Sequence, residues 1–188
     1  IDHDGEILTR GRHVFKGYLK NEKDTGETIR GGWLHTGDLG SLNEKGQVRI
    51  IGRKKEIMKT SGGKMVAPLP IEEKLKAAQI ISQVCLVGDG RKYISALITL
   101  SENVLIELKT KGIINGSSVV KHDSVLSEVK KAVDEINATL PGYERIKYFT
   151  VLSKEFSIDE GEMTPTMKIK RSVIEKKFKD LIDKMYNE

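Results

Sequence analysis

A change in the pattern of the sequence near residue 54 limits the folds open to this chain more than any other property. Residues 1–53 are rich in glycine and in short extended runs. Turn-forming pairs recur at Asp4-Gly5, Thr25-Gly26, Gly31-Gly32 and Lys45-Gly46. Residues 47–51 predict a strand after the last of these turns. No amphipathic helix is evident, so this region predicts strands that need other strands to cover them.

The pattern becomes a mixture of helices and strands from about Lys55. Pro70 suits the first turn of a helix, because it lacks the hydrogen that this turn cannot use. Apolar side chains then recur at helical spacing, at Ile71, Leu75, Ala78 and Ile81. Residues 84–87 and 93–100 predict two strands of a hairpin, joined by a turn at Gly88-Asp89-Gly90.

Three more helices and one more strand complete the predicted elements. Ser101 can cap a short helix that Gly112 stops, and a longer helix opens at Asp123 or Ser124 and is ended by Pro141-Gly142. Residues 146–152 predict a strand. A last helix begins near Ser172, with an inner face formed by Ile174, Phe178, Leu181 and Met185. The sequence therefore predicts an α+β fold, in which a small C-terminal domain with a short sheet and flanking helices follows a β-rich region.

Composition excludes several classes of protein. A single cysteine, Cys85, rules out an internal disulfide and a cysteine-rich metal site, and its apolar neighbours predict a buried side chain. No apolar run approaches the ~20 residues of a membrane span, and the protein is expected in the cytoplasm. The chain starts at Ile1 rather than methionine, which favours a natural N-terminus further upstream.

The net charge of +5 and the isoelectric point of about 9.1 allow two interpretations. One is a solvated basic surface, and the other is an anionic partner such as a nucleotide, the phosphates of CoA or a membrane surface. Basic residues are interleaved with acidic ones, and neither an aromatic RNA-binding pattern nor zinc-finger spacing occurs. Nucleic acid is therefore not an expected partner.

The first informative segment is Trp33-Leu34-His35-Thr36-Gly37-Asp38. Thr-Gly-Asp alone is typical of an ordinary turn. The functional alternative is a carboxylate held on a tight loop, where it accepts two hydrogen bonds from a ribose diol; such charge-assisted bonds are about twice as strong as neutral ones.

The second segment runs over residues 52–72 and combines a basic cluster, a short apolar strand, the Gly62-Gly63 pair and a proline-opened helix. Adjacent glycines let the backbone approach a ligand closely. A nucleotide-binding P-loop is excluded, because its spacing of Gly, Lys and Ser/Thr is absent.

The third segment, residues 163–171, places Lys168 on a Pro-Thr loop ahead of a helix. A solvated lysine is the ordinary interpretation. The alternative is a point charge delivered to a phosphate or carboxylate as its charge reorganises.

The order of these segments resembles the adenylate-forming superfamily of acyl-CoA synthetases, peptide-synthetase adenylation domains and luciferases. A further match lies upstream, in residues 5–8 and 11–18. The resemblance covers essentially the whole chain. Three of its motifs look most like those of long-chain fatty acyl-CoA synthetases: Trp-Leu-His-Thr-Gly-Asp, Gly-Arg-Lys-Lys-Glu and Thr-Pro-Thr-Met-Lys.

The resemblance implies roles for three residues in the adenylation step. Asp38 would bind the ribose hydroxyls of ATP, with Arg53 supporting it. Lys168 matches the lysine that contacts the α-phosphate and the fatty carboxylate. Many relatives have glycine before this lysine, whereas this chain has Met167.

The resemblance also implies a hinge and a CoA site. Lys55 falls at the hinge position, and the Gly62-Gly63 loop would help to form the CoA tunnel, with Lys59 nearby. The expected division is a β-rich end of the large domain over residues 1–54 and a mobile C-terminal domain over residues 55–188.

The implied reaction needs ATP, Mg²⁺ and CoA: a fatty acid becomes acyl-AMP, and then acyl-CoA. The phosphate loop, the acyl pocket and the magnesium ligand of the family belong to a large N-terminal domain, and no metal ligand is expected in this chain. That domain is the expected partner, and the chain alone is expected to be inactive. Contact with a membrane surface and self-association remain open, as do two other functions, an adenylating enzyme for another acid and a non-catalytic anion-binding module.

Overall fold

The computed structural model describes residues 1–113 and 119–187, which form two units, Ile1–Ile57 and Met58–Glu188. The division falls three residues after the position at which the sequence pattern changes. Each unit has its own sheet or sheets, and each is described by itself.

The first unit is built around one long strand, β3 (Trp33–Leu42). Strand β1 (Glu6–Thr9) pairs with one edge of β3 in antiparallel fashion. Strands β2 (Ile29–Arg30) and β4 (Val48–Arg53) follow one another along the opposite edge, also antiparallel. The expected β-rich character of this region is therefore observed.

The first unit also contains one helix that the sequence did not predict. Helix α1 (Glu22–Thr28) occupies the predicted Thr25-Gly26 turn. None of its seven residues is buried, so it has no amphipathic pattern to find. The Asn21 side chain starts the helix by accepting a hydrogen bond from the Asp24 amide at 3.1 Å.

The second unit begins with a small hairpin, β5 (Met58–Lys59) and β6 (Met65–Val66), followed by helix α2 (Pro68–Lys76). Its main sheet has the order β7-β8-β9, with β7 (Ile81–Val87), β8 (Ile94–Leu100) and β9 (Ile146–Leu152). β7 and β8 form the predicted hairpin, whereas β9 is parallel to β8. Parallel pairing requires a crossover, and it contains α3 (Glu102–Thr110) and α4 (Asp123–Asn137).

Several predicted boundaries need correction. Helix α2 starts at Pro68 instead of Pro70 and ends before Ala78, and Ile81 belongs to β7. Ser101 occupies the position before α3, but its side chain makes no capping hydrogen bond. Helix α4 ends at Asn137, ahead of Pro141. The Asn137 side chain bonds both the amide and the carbonyl of Ile146 (2.8 and 2.9 Å) and so links the end of the helix to β9.

The last predicted helix is in fact two helices, α5 (Arg171–Lys177) and α6 (Lys179–Lys184). Phe178 breaks the run with φ −102° and ψ 22°. Its ring lies 6.2 Å from that of Phe156, centroid to centroid, and it packs against the core.

The core of the second unit lies on both faces of the three-stranded sheet. Leu86, Ala96 and Ile98 pack with α2, α3 and α4 on one face, and Cys85, Val87 and Leu97 pack with α5 and α6 on the other. All seven residues of β8 are buried, as expected for a central strand covered on two faces. The α+β fold class is confirmed.

Candidate nucleotide site and catalytic loops

Thr36, Gly37 and Asp38 lie inside β3, not on a separate tight turn as predicted. Along β1, Glu6 pairs with Leu39 and Leu8 pairs with His35, so β3 carries extra residues between these two pairs. This irregularity is a β-bulge, and Gly37 within it has φ +72°. Bulges of this kind redirect side chains and favour glycine at a left-handed position.

The bulge presents Asp38 next to Arg53, its partner on β4. Arg53 Nε donates to Asp38 Oδ1 at 2.9 Å, and the two side chains are 57% and 34% exposed. An ion pair this exposed contributes only about 0–1 kcal/mol to stability. Asp38 Oδ2 accepts no hydrogen bond within the described ranges, so the carboxylate can still receive donors from a ligand.

A hollow with a volume of about 1050 Å³ lies beside Arg53 in the first unit. Gly37 and Arg53 line it, together with Arg30, Lys54 and Lys55. Three carboxylates, those of Glu6, Glu27 and Glu56, line it as well, so the four cations leave an excess of one positive charge.

Glu6 is a buried carboxylate that the sequence interpretation did not select. It is 4% exposed, and its Oε1 accepts the Gly37 amide at 2.9 Å. Its Oε2 lies 3.2 Å from both His35 Nδ1 and Lys54 Nζ. Burial acts to raise the pKa of Glu6, but the hydrogen bonds from the Gly37 amide and Lys54, with the His35 ring beside them, outweigh it and hold the pKa below the ordinary value. Two signals could have indicated it: Glu6 is an acid inside a strand-forming run, and it lies within the matched residues 5–8.

Lys55 lies in a single 3-10 turn, Lys54–Glu56, at the end of the first unit, and its side chain is exposed. Its neighbour Lys54 is held by Asp4 and by Glu6. Hydrogen bonds from Lys54 to these two carboxylates raise the pKa of the lysine. The 3-10 turn that contains Lys55, the predicted hinge, is thus attached through Lys54 to β1 of the first unit.

The Gly62-Gly63 pair forms the turn of the β5–β6 hairpin. The Gly63 amide donates to the Thr60 carbonyl at 2.8 Å, and the Thr60 hydroxyl accepts the Lys64 amide at 3.1 Å. Gly63 has φ +78°, which explains its identity. Gly62 lies outside that region, and a Cβ added there would meet nothing closer than 4.0 Å. The chain's own packing therefore gives no reason for glycine at position 62.

Lys59 belongs to the same hairpin as this turn. Its amide donates to Asp89 Oδ1 at 2.8 Å, and its carbonyl accepts the Gly90 amide at 2.8 Å. The Ser61 amide donates to the carbonyl of Arg91 at 2.8 Å. The turn between β7 and β8 thus supports the glycine turn.

Lys168 ends a five-residue turn that starts at Thr164. The Thr164 amide donates to the Lys168 carbonyl (2.8 Å), and the Thr164 hydroxyl accepts the Lys168 amide (3.0 Å). Met167 has φ +61°, a conformation that costs a non-glycine residue roughly 1–2 kcal/mol. The methionine noted in the sequence thus stands where the backbone favours the glycine of many relatives. The Lys168 side chain is exposed.

A buried ion pair anchors the segment that follows this turn. Arg171, the first residue of α5, lies 2.8 Å from Glu72 of α2, and the two side chains are 14% and 6% exposed. Glu72 also accepts the Leu86 amide at 2.8 Å, which ties β7 to the pair. Cys85 lies beside it, and burial raises the pKa of its thiol to about 12. That cysteine is buried as predicted and is unsuited to act as a nucleophile.

The structure brings some predicted site residues together and leaves others apart. Asp38 and Arg53 form one pair, and Lys59, Gly62 and Gly63 share one hairpin. Lys168 lies on a different turn of the second unit. Within residues 1–113 and 119–187, no cluster of three or more His, Cys, Asp or Glu side chains could hold a metal ion. Nor does any helix in those ranges have the length and apolar character of a membrane span.

The fold of the chain is that of adenylating enzymes. The adenylation domain of a carboxylate reductase from Mycobacterium chelonae matches 98% of this chain with a TM-score of 0.81 and 19% identity; the match covers 28% of that domain. The adenylation and carrier didomain of a carboxylic acid reductase from Segniliparus rugosus, solved in complex with AMP, matches 97% of this chain and 25% of its own length, with a TM-score of 0.77 and 20% identity.

Residues 55–188 match the family model described as the AMP-binding enzyme C-terminal domain. The chain therefore belongs to this family. The long-chain-fatty-acid–CoA ligase FadD15 of Mycobacterium tuberculosis is 43% identical over 192 residues, which cover 100% of this chain and 32% of that protein. The human long-chain-fatty-acid–CoA ligase ACSBG2 is 38% identical over 208 residues, with coverages of 99% and 31%. The chain thus spans about a third of the length of the curated relatives it matches.

Proposed function

We propose that this chain is the C-terminal part of an ATP-dependent, AMP-forming long-chain fatty acid–CoA ligase. The observation that carries the proposal is the 43% identity to a ligase of that name across the whole chain. The pairing of Asp38, on the bulge of β3, with Arg53, which lines the neighbouring hollow, supports it independently.

In the first reaction step, the fatty carboxylate attacks the α-phosphate of ATP and releases pyrophosphate. Asp38 accepts hydrogen bonds from the ribose hydroxyls, and Arg53 holds the carboxylate in place. Lys168 supplies a positive charge to the α-phosphate and the fatty carboxylate. Mg²⁺ neutralises the triphosphate when bound, and we assign its ligands to the large N-terminal domain.

In the second step, the CoA thiol attacks the acyl carbon and releases AMP. The backbone around Lys55 rotates, and the turn that carries Gly62 and Gly63 helps to form the CoA tunnel, with Lys59 nearby. The open space at Gly62 supports this role, because a ligand can approach a backbone that carries no side chain.

The partner of the chain in both steps is a large N-terminal domain of the same enzyme. A cytoplasmic enzyme with peripheral contact to a membrane fits a basic protein that acts on fatty acids, since a basic surface attracts anionic lipid. Without its partner domain, the chain is expected to be inactive and prone to self-association through residues before Lys55. There Leu42, Val48 and Ile50 are more than half exposed.

The test is a panel of acids in ATP–pyrophosphate exchange. The full-length enzyme should respond to long-chain fatty acids such as palmitate, whereas this chain alone should give no signal above buffer. Exchange with aryl or amino acids alone would favour another adenylating enzyme. No exchange with any acid, together with retained binding of anions, would favour a non-catalytic module.

A further inference from the structure

We propose that Glu6 is a positioning residue for nucleotide binding: its carboxylate holds the bulge of β3 so that Asp38 faces the ribose of ATP. The inference deepens the proposed function and rests on it. Glu6 does not touch the nucleotide in this scheme. It acts through the backbone of Gly37, the residue directly before Asp38.

Strand β1 holds the bulge of β3 in place. The extra residues of the bulge, Thr36 to Asp38, fall between the paired positions of β1 and β3. A backbone amide without a ladder partner needs another acceptor, and Glu6 Oε1 supplies one to Gly37 at 2.9 Å. The Thr36 hydroxyl donates to the Ile7 carbonyl at 2.7 Å, and the Asp38 amide donates back to that hydroxyl at 3.0 Å.

Glu6 is charged although it is buried. The side chain is nearly inaccessible to solvent, yet Lys54 Nζ and His35 Nδ1 each lie 3.2 Å from its second oxygen. Lys54 and the Gly37 amide both donate to the buried carboxylate and keep it ionised, in agreement with its lowered pKa. An ionised acceptor makes a shorter and stronger hydrogen bond than a neutral one, so Gly37 is held more rigidly than an amide side chain would hold it.

Asp38 itself is partly exposed. Arg53 restrains its side chain through one hydrogen bond, and the place from which that side chain extends is set by the backbone of the bulge. Recognition of a diol by two hydrogen bonds requires a defined carboxylate position. The rigid bulge provides it, and Glu6 is the only fully charged acceptor bonded to the backbone of Thr36, Gly37 or Asp38 in the described parts of the chain.

The experiment uses the full-length enzyme with Glu6→Ala and Glu6→Gln, and Glu44→Ala as a control for loss of an exposed carboxylate. KM is measured for ATP, 2′-deoxy-ATP, 3′-deoxy-ATP and CoA. Glu6→Ala should raise KM for ATP about 10- to 100-fold, change KM for the deoxy nucleotides little and leave KM for CoA unchanged. Glu6→Gln should lie between wild type and Glu6→Ala, because its amide oxygen is a neutral acceptor.

A second measurement does not depend on activity. Hydrogen exchange of the Gly37 amide in the full-length enzyme should be faster in Glu6→Ala than in wild type or Glu44→Ala. If Glu6→Ala does not fold, Glu6→Gln carries both measurements.

The outcomes separate this inference from the proposed function. If wild type prefers ATP to its deoxy analogues and both Glu6 variants keep that preference, or if KM for CoA rises as much as KM for ATP, the positioning role is wrong. If wild type neither uses ATP nor distinguishes ribose, the proposed function fails instead. Unchanged exchange at Gly37 would overturn the role of Glu6 in either case.

Discussion

The two units each contain an arginine–carboxylate pair, and the pairs differ in one decisive respect. Arg171 and Glu72 are 14% and 6% exposed and join α5 to α2, whereas Arg53 and Asp38 are 57% and 34% exposed on one edge of the first sheet. Removing one partner of a buried pair leaves an uncompensated charge, but an exposed pair can be broken at little cost. The buried pair therefore maintains the fold, and the exposed pair is available for a ligand.

The largest effect is expected on the free energy of unfolding when a carboxylate of the buried pair and one of the exposed pair are replaced in turn. Glu72→Ala should lower the free energy of unfolding by about 3–5 kcal/mol, because the largely buried Arg171 loses the carboxylate that balances its charge. Asp38→Asn should change it by less than about 1 kcal/mol. Urea denaturation followed by circular dichroism measures both.

Glu73→Ala is the matched control, since Glu73 is the next residue of α2 and its side chain is 59% exposed. If Glu73→Ala lowers the free energy of unfolding as much as Glu72→Ala does, α2 tolerates no substitution in this turn. The effect of Glu72→Ala could then not be assigned to the buried ion pair.

The second effect concerns the Lys168 turn, which the buried pair anchors from the following helix. In the full-length enzyme, Lys168→Ala should reduce the rate of adenylation by about 10²–10³, as for loss of one preorganised charged donor. Thioester formation from supplied acyl-AMP should fall much less. Lys170→Ala serves as the control, because Lys170 is exposed two residues later. Equal losses in both half-reactions would indicate a structural lysine.

The third effect tests whether Lys55 is the hinge between the two working arrangements. Proline fixes φ near −65° and removes the amide hydrogen, so Lys55→Pro can satisfy at most one of two backbone conformations. We expect the variant to fold and to form acyl-AMP, while transfer to CoA falls steeply, by about tenfold or more. Single-turnover assays of each step measure this. Matching effects on the two steps, or none on either, would remove the hinge assignment.

The smallest effect compares the two positive-φ residues that precede the proposed site residues. Gly37 before Asp38 is unstrained, whereas Met167 before Lys168 is not. Met167→Gly should therefore stabilise the chain by up to about 1 kcal/mol, after the extra freedom of glycine in the unfolded chain is subtracted. Thermal denaturation measures it. Thr166→Gly, outside the left-handed region, should destabilise instead, and stabilisation by both variants would contradict the argument.

Elements with strong internal periodicity were predictable from the sequence. Strand β9 has the bounds that its apolar run indicated, Ile146–Leu152, and α4 begins at Asp123 as expected. Helix α1 was not predictable, because capping forms it rather than an apolar face. The break at Phe178 was also missed, since the apolar residues on both sides of it keep a helical spacing.

The candidate site was only partly accessible to sequence reasoning for a different reason. The resemblance selected Asp38, Arg53 and Lys168 by residue type and order, and their roles remain predictions. The contacts that hold them depend on pairing across the fold: Glu6 reaches Gly37 only through the β1–β3 register, and Arg171 reaches Glu72 across 99 positions of sequence. No pattern among neighbouring residues of the sequence predicts contacts between residues so far apart in it.

The parallel pairing of β8 with β9 has a consequence for how the chain is made. As the ribosome releases the chain, β7 and β8 emerge together, but the second edge of β8 has no partner until residues 146–152 have followed. All residues of β8 are destined for the interior, and an open apolar edge invites pairing with another molecule. Truncation anywhere between Leu100 and Ile146 should therefore yield a product that aggregates, because β8 is left with an open apolar edge until β9 is present.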